Sequence, residues 1–290
     1  MSSRMQIKRL KKSFKQILHK VFPGAQIMKL REEVRLLSEY TLQAEISRRQ
    51  REHPNPFCRF GAFGFSQADE DGITLEIVRR LQIDKGRFLE LGVGDGLENN
   101  TLILLASGWR GVWLGGEDLR VSLKKCKRLK FEQAWITRDN VIDLIKKNIG
   151  HDLNLDLVSL DLDGNDLFVA ETMLEEGVSA SIFIVEYNSR FPGEVDFSID
   201  YDPQHTWTGG DYYGASLQAF CNLFERFGYS LICCNAATGG NAFFVQTNNL
   251  DKFPEVPKNR RDIYSSPFFY VPNIGHVKSV KTIQKVLDSN

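Results

Sequence analysis

Between residues 57 and 247 the chain alternates short apolar runs with segments whose apolar positions recur every three to four residues. The runs 87–91, 112–115, 133–136, 155–160 and 181–186 read as strands, and the periodic segments 71–81, 97–107, 119–129, 141–148 and 167–175 read as helices. Strands that alternate with helices and are apolar almost throughout belong to a parallel sheet covered on both faces. After a long loop over 190–213, a helix over 214–227 leads to two more apolar runs, 229–234 and 241–245. They are joined through Gly239-Gly240, which predicts an antiparallel hairpin. The expected class is α/β: a doubly wound, mostly parallel seven-stranded sheet that closes on a C-terminal antiparallel hairpin.

Two helices are expected ahead of this region. Residues 4–22 place Ile7, Leu10, Phe14, Ile17, Leu18 and Val21 on one side and bases on the other, a pattern suited to an anionic membrane surface. An arm that docks on its own domain or on a sister subunit reads equally well. Pro23-Gly24 ends this helix. Residues 26–50 form a second one, with Ile27, Leu30, Val34, Leu37, Thr41 and Ala44 in a seam of under three heptads. The seam suits a short homo-oligomeric contact or packing on the main domain. The expected division is 1–23, 24–56, 57–250 and a tail over 251–290.

The net charge of zero conceals an asymmetry. Residues 1–22 carry seven bases and no acid, so the rest of the chain holds 30 bases against 37 acids. A main region of negative charge argues against nucleic acid as its partner. The five cysteines, Cys58, Cys126, Cys221, Cys233 and Cys234, form no C-x-x-C pair and read as reduced, mostly buried thiols. With no apolar run long enough to span a bilayer, the expected location is cytoplasmic, with peripheral membrane contact through residues 4–22.

The candidate chemistry lies where the strands end, because ligands of parallel sheets sit outside the carboxyl edge. The first run ends in Glu90-Leu91-Gly92-Val93-Gly94-Asp95-Gly96, a strand, a glycine loop and then a predicted helix. Glycines allow both the sharp turn and the close approach of a ligand, and the helix start would present free N–H groups. The register is not that of the dinucleotide fingerprint G-x-G-x-x-G, since Leu97 stands where its third glycine would fall. After the second run come Gly115-Gly116-Glu117-Asp118, where Glu117 or Asp118 could accept from ribose hydroxyls and where Asp118 also suits a helix cap. After the fourth run stands Asp161-Leu162-Asp163-Gly164-Asn165-Asp166, and after the fifth Glu186-Tyr187-Asn188-Ser189. Carboxylates gathered on one edge need a cation, a proton or a donor to relieve them. Asp163, Glu186 and Asn188 offer only oxygen, which suits Mg²⁺, Ca²⁺ or Mn²⁺, and Asp163 or Glu186 could equally take a hydroxyl proton. The long loop adds His205 as a candidate base, Asp211, and the aromatic residues Tyr201, Trp207, Tyr212 and Tyr213, which suit sugar faces.

The string Glu90-x-Gly92-x-Gly94-x-Gly96 resembles the first motif of class I S-adenosylmethionine-dependent methyltransferases, whose fold is Rossmann-like and closes on such a hairpin. Four more strings resemble the FkbM-like branch: Ser66-Gln67-Ala68-Asp69-Glu70-Asp71-Gly72, the Asp161–Asp166 turn, the Glu186–Ser189 turn, and Asp211-Tyr212-Tyr213-Gly214-Ala215-Ser216. The resemblance covers residues 57–247. It implies cofactor contacts from Glu90, Gly92, Gly94, Asp95, Gly96, Glu117 or Asp118, Asp139 or Asn140 near the adenine, and Asp161. It also implies catalysis by Asp163, Glu186, His205 and Asp211, with a metal held by Asp163, Glu186 and Asn188. The expected activity is O-methylation of a hydroxyl on a carbohydrate or glycan, using S-adenosylmethionine and assisted by Mg²⁺ or Mn²⁺. The competing readings are a non-catalytic scaffold or glycan-binding module of the same fold and an NAD(P)-dependent oxidoreductase.

Overall fold

The computed structural model describes residues 24–268. The basic segment 4–22 and the tail beyond residue 268 lie outside the described residues. The chain divides into two units, Met1–Arg48 and Arg49–Asn290. Helix α1, Gly24–Glu52, runs across the boundary. Within residues 24–48, taken alone, ion pairs such as Lys29–Glu33, Arg35–Glu39 and Arg48–Glu45 link successive turns. Such exposed pairs, open to solvent and salt, contribute little each. The seam residues Ile27, Leu30, Val34 and Leu37 are all exposed.

The second unit holds the sheet. Its strands are β1 Arg87–Leu91, β2 Arg110–Gly115, β3 Leu129–Gln133, β4 Asn154–Leu160, β5 Ser179–Glu186, β6 Tyr229–Cys234 and β7 Asn241–Gln246. Helices α2 Glu70–Leu81, α3 Leu102–Ala106, α4 Val141–Ile149, α5 Asp166–Glu175 and α6 Leu217–Arg226 cover its faces. The spatial order is β3-β2-β1-β4-β5-β7-β6. The first five strands are parallel, and β7 runs antiparallel between β5 and β6. This is the expected Rossmann-like, doubly wound sheet with its closing antiparallel pair. Two apolar cores form because alternate residues of each strand point to opposite faces. Leu89, Val158, Phe183 and Phe244 meet α4, α5 and α6, while Phe88, Leu157, Ile184 and Phe243 meet α2. Helix α6 shows why: Leu217, Phe220, Cys221 and Phe224 recur on one side, and the Ser216 hydroxyl accepts from Ala219 N at 3.2 Å to cap its start. Phe224 then stacks on Phe244 at 4.4 Å, a burial worth about 1.5–3 kcal/mol. Among the described residues no helix is long and apolar enough to cross a membrane.

Three local expectations are corrected. The helix expected over 97–107 shortens to Leu102–Ala106. Asn99 N instead donates to Phe65 O, and Asn100 N and Thr101 N donate to Glu90, so the residues ahead of α3 bond across the loop. No helix forms over 119–129. There Arg120 N donates to Asp95 O at 2.9 Å, while Leu119, Leu123 and Cys126 pack on the core as loop side chains. The third strand consequently lies at Leu129–Gln133 rather than over 133–136, and pairs with β2 from Gly111 to Gly115.

Candidate active site

The carboxyl edge of β1 is built around close approach. Gly92 has φ +87°, and its N–H donates to Leu114 O at 2.8 Å. A Cβ added at Gly92 would lie 1.5 Å from the carbonyl oxygen of Asp161, so only glycine fits between β1 and the turn after β4. Gly94, at φ +49°, differs: nothing stands within 4 Å of its missing Cβ. Gly94 is the glycine that faces open space. Gly96 is closed in by Leu119 and Val121.

Glu90 lies beneath this loop, 5 % exposed. Its carboxylate accepts from Asn100 N at 2.8 Å, Thr101 N at 3.3 Å and the Thr101 hydroxyl, which in turn accepts from Trp113 Nε1 at 2.9 Å. Burial pushes the Glu90 carboxyl up to about 7. The structure therefore places Glu90 as the fastening of the loop to α3. Asp95 accepts from Leu97 N and pairs with Arg120 at 3.3 Å, tying the glycine loop to the segment after β2.

Glu117 and Asp118 are exposed beyond β2. Asp139 is exposed beside Arg138 at 3.9 Å. Asn140 closes its own turn, accepting from Thr137 N at 2.8 Å and donating to Trp135 O at 2.9 Å. Between these groups stands a residue that sequence reasoning missed. The Trp135 ring lies against Gly116, 3.3 Å from the position of an added Cβ, and is 52 % exposed. Its N–H is bonded to Pro203 O at 2.7 Å, which leaves the ring face as its contact surface. The signal was available: a single indole in a polar stretch directly after a strand.

The turns after β4 and β5 bring three carboxylates together. Leu160 pairs with Val185 in the sheet, so Asp161 stands beside Glu186. Asp161, Asp163 and Glu186 each offer an oxygen within 4.8 Å of the other two. Burial first, then the charges of Asp166 and Asp163, pushes the Asp161 carboxyl up to about 8. Burial and the Asp161 charge hold Glu186 well above the carboxylate range. Both carboxyls are therefore drawn toward the protonated form near neutrality. Asp163 holds a left-handed backbone, φ +55°, and its residue is exposed. Asp166 closes the turn beneath them by accepting from Leu162 N at 2.6 Å and Gly164 N at 3.0 Å.

The long loop wraps this cluster. The His205 ring packs on Gly164, with Cδ2 only 2.2 Å from an added Cβ. Asp202 O accepts from Asn165 Nδ2 at 2.7 Å. Tyr213 is buried, and the charges of Glu186, Asp161 and Asp163 add to burial in raising its phenol. Trp207, 42 % exposed, meets Tyr213 edge-on at 6.3 Å. Asn188 is fully buried, and its Nδ2 donates to Asp211 O and Tyr213 O, both at 3.0 Å. Asp211 pairs with Arg190 at 2.9 Å. The structure thus gathers Asp161, Asp163, Glu186 and His205 in one place, and employs Asn188 and Asp211 in holding the loop. Asp69, Glu70 and Asp71, from the Ser66–Gly72 string, are buried as well. Asp69 and Glu70 accept from Asn235, and Asp71 accepts from Ser66 N.

No family model and no curated protein matches this chain. Among solved structures, it is similar to the MycE methyltransferase from the mycinamycin biosynthetic pathway in complex with Mg, SAH and mycinamycin VI. That match has 14% identity and a TM-score of 0.43, covering 69% of this chain and 56% of MycE. It is also similar to a precorrin-6y C5,15-methyltransferase from Geobacter metallireducens GS-15 (12% identity, TM-score 0.37, 64% of this chain and 90% of that one). A third is the methyltransferase domain of bacterial CtHen1 (15% identity, TM-score 0.37, 61% and 96%). The matched region spans little more than half of the MycE chain.

Proposed function

We propose that this chain is an S-adenosylmethionine-dependent O-methyltransferase of FkbM-like type, acting on a hydroxyl of a carbohydrate or glycan with help from Mg²⁺ or Mn²⁺. The observation that carries this reading is the contact between Gly92 and Asp161: the glycine loop and the carboxylate cluster are contiguous, so a ligand in the first lies against the second. A cofactor fits the loop, because the Gly94 side is open and the Trp135 face is exposed beyond β2 and β3. A hard divalent cation fits the cluster, because all three groups are carboxylates. S-adenosylmethionine would supply an electrophilic methyl group, and the cation would lower the pKa of a hydroxyl beside it.

The roles of the chain's own residues follow from their places. The Gly92–Gly96 backbone would hold the methionine end of the cofactor, Glu117 or Asp118 its ribose, and Trp135 with Asp139 or Asn140 its adenine. Asp161, Asp163 and Glu186 would hold the cation and orient the acceptor oxygen. Asp163 or His205 would take its proton, a contribution of about 10²–10⁴ in rate. Trp207 and Tyr212 would present ring faces to a sugar, with buried Tyr213 packed edge-on behind Trp207. Because methyl transfer is an in-line displacement, most of the work is alignment.

The test is calorimetric titration with S-adenosylmethionine, S-adenosylhomocysteine and NAD⁺, each with and without Mg²⁺ or Mn²⁺, followed by methyl-transfer assays on glycosides. Micromolar binding of the first two and transfer to a hydroxyl are expected. Binding of NAD⁺ alone would replace this reading with an oxidoreductase, and cofactor binding without transfer would leave a scaffold. The seven bases of residues 4–22 would place the enzyme at an anionic surface that presents a lipid-linked acceptor. Equal sedimentation with neutral and anionic vesicles would refute that. The exposed seam of Ile27, Leu30, Val34 and Leu37 would join two copies, and a monomer in analytical ultracentrifugation would rule this out.

A further inference from the structure

The Sγ atoms of Cys58 and Cys233 stand 3.7 Å apart, although 175 residues separate them in the chain. Both residues are fully buried. The approach is built. Cys58 sits in the 3₁₀ turn Pro56–Phe60, which Asn55 clamps onto β6 by donating from Nδ2 to Ile232 O at 2.8 Å while accepting from Phe57 N at 3.1 Å. The strand is irregular here, its register with β7 shifting between Leu231 and Cys233. Cys233 and Cys234 are neighbours on a strand and point to opposite faces. Cys233 joins Cys58 in one core, and Cys234 joins Cys221 in the other. Geometry therefore selects one pair among five thiols.

We propose that Cys58 and Cys233 form an oxidation site, a buried dithiol that closes to an intramolecular disulfide when a peroxide reaches it. Closing the pair from 3.7 Å to a bond of about 2.05 Å asks for a movement of about 1.7 Å, within reach of side-chain rotation. The surroundings favour Cys58 as the attacking sulfur. The contact with the Cys233 sulfur, in which either thiol can donate, and then His53 draw the Cys58 thiol below its ordinary value despite burial. His53 is itself fixed: its Nδ1 accepts from Asn55 N at 3.0 Å, and its Nε2 lies 2.9 Å from Ser265 Oγ. In the first step the Cys58 thiolate attacks one peroxide oxygen, the O–O bond breaks, and hydroxide leaves a sulfenic acid on Cys58. In the second, the Cys233 sulfur attacks the Cys58 sulfur, the S–O bond breaks and water leaves. In sum two thiols and one hydrogen peroxide give one disulfide and two waters, with both electrons passing from sulfur to peroxide oxygen.

The bond would anchor the 3₁₀ turn to β6. The same stretch leads into residues 61–66, where Phe65 O accepts from Asn99 N of the glycine loop at 3.2 Å. Oxidation would thus fix one wall of that loop.

The experiment treats the full-length reduced protein with hydrogen peroxide, alkylates free thiols under denaturing conditions, and maps unreduced peptides by mass spectrometry. A Cys58–Cys233 peptide lighter by two hydrogens is expected, reversible by dithiothreitol, with the melting temperature raised by roughly 5–10 °C. Cys126, which is only partly buried, serves as the internal standard and should react faster. Cys58→Ser and Cys233→Ser should each abolish the cross-link. Cys234→Ser should keep it. Should Cys126 be fully oxidised while Cys58 and Cys233 both remain alkylatable, or should either end as a sulfinic acid without the cross-link, the proposal is overturned. Because the readout is the bond itself in wild-type protein, a variant that fails to fold does not blunt the test.

Discussion

Asp161 and Glu186 stand side by side at the carboxyl ends of β4 and β5, and burial together with the neighbouring acids raises both carboxyls. The pair therefore holds its proton near neutrality, and a cation that binds there must displace it. Because burial raises both Asp161, to about 8, and Glu186, cation affinity should climb with pH from 6.5 to 8.5, by about tenfold per pH unit for each proton displaced. Titrations with Mn²⁺ at pH 6.5, 7.5 and 8.5, in buffers of differing ionisation enthalpy, would report both the affinity and the released proton. An affinity independent of pH would show that the cation binds elsewhere.

Asp163 is the exposed member of the cluster, and its left-handed backbone makes the choice of substitution matter. Asp163→Ala places a Cβ-bearing residue without a polar side chain at φ +55° and should cost about 1 kcal/mol of stability. Asp163→Asn tolerates that conformation and should leave the melting temperature unchanged. Both should abolish methyl transfer while cofactor binding persists. Turnover in Asp163→Asn within twofold of wild type would remove the aspartate from the chemistry.

The two leading glycines of the loop should separate structure from binding. Gly92→Ala has no room, with Asp161 O at 1.5 Å from the new atom, and should yield insoluble or unfolded protein. Gly94→Ala opens onto space and should fold at a cost of about 1 kcal/mol, yet its methyl group would occupy the cofactor's approach. At least a tenfold loss of S-adenosylmethionine affinity is expected for Gly94→Ala. An unchanged affinity would mean the cofactor does not reach that side of the loop.

Most of the fold was legible because buried parallel strands announce themselves as largely apolar runs: Ile182 to Val185 is unbroken, and Leu155 to Leu160 is interrupted only by Asp156 and Ser159. The helix expected over 119–129 failed for a tertiary reason. Its apolar spacing was real, but the Arg120 N–H was taken by Asp95 O, and no local pattern records that contact. The same limit governed the site. Glycine and acid positions at strand ends could be read directly. That Asp161 joins Asp163 and Glu186 depends on the β4–β5 register, and that His205 meets Gly164 depends on how a loop of over twenty residues folds back. Asn188 looked like an oxygen ligand because its type fitted. Only the fold shows its carboxamide donating to the carbonyls of Asp211 and Tyr213.

Glu70 and Glu90 carry a consequence for stability. Both are buried, and burial raises each to about 7, above the ordinary value near 4.5. At pH 4 both are protonated in the folded and the unfolded chain, and they contribute nothing to the difference. As pH rises from about 4.5 to 7 the unfolded chain releases these protons while the folded one retains them, so folding stability falls through that window and levels off above it. Each group can account for up to about 3 kcal/mol, a figure that already includes the hydrogen bonds Asn100, Thr101 and Asn241 give the ionised form. Glu70→Gln should flatten this slope, since an amide does not titrate and remains small enough for the same cavity. Urea midpoints at pH 5, 6, 7 and 8 for wild type, Glu70→Gln and Glu90→Gln would measure it. A wild-type stability that rises between pH 5 and 7, or a slope that neither variant alters, would place the two protons elsewhere.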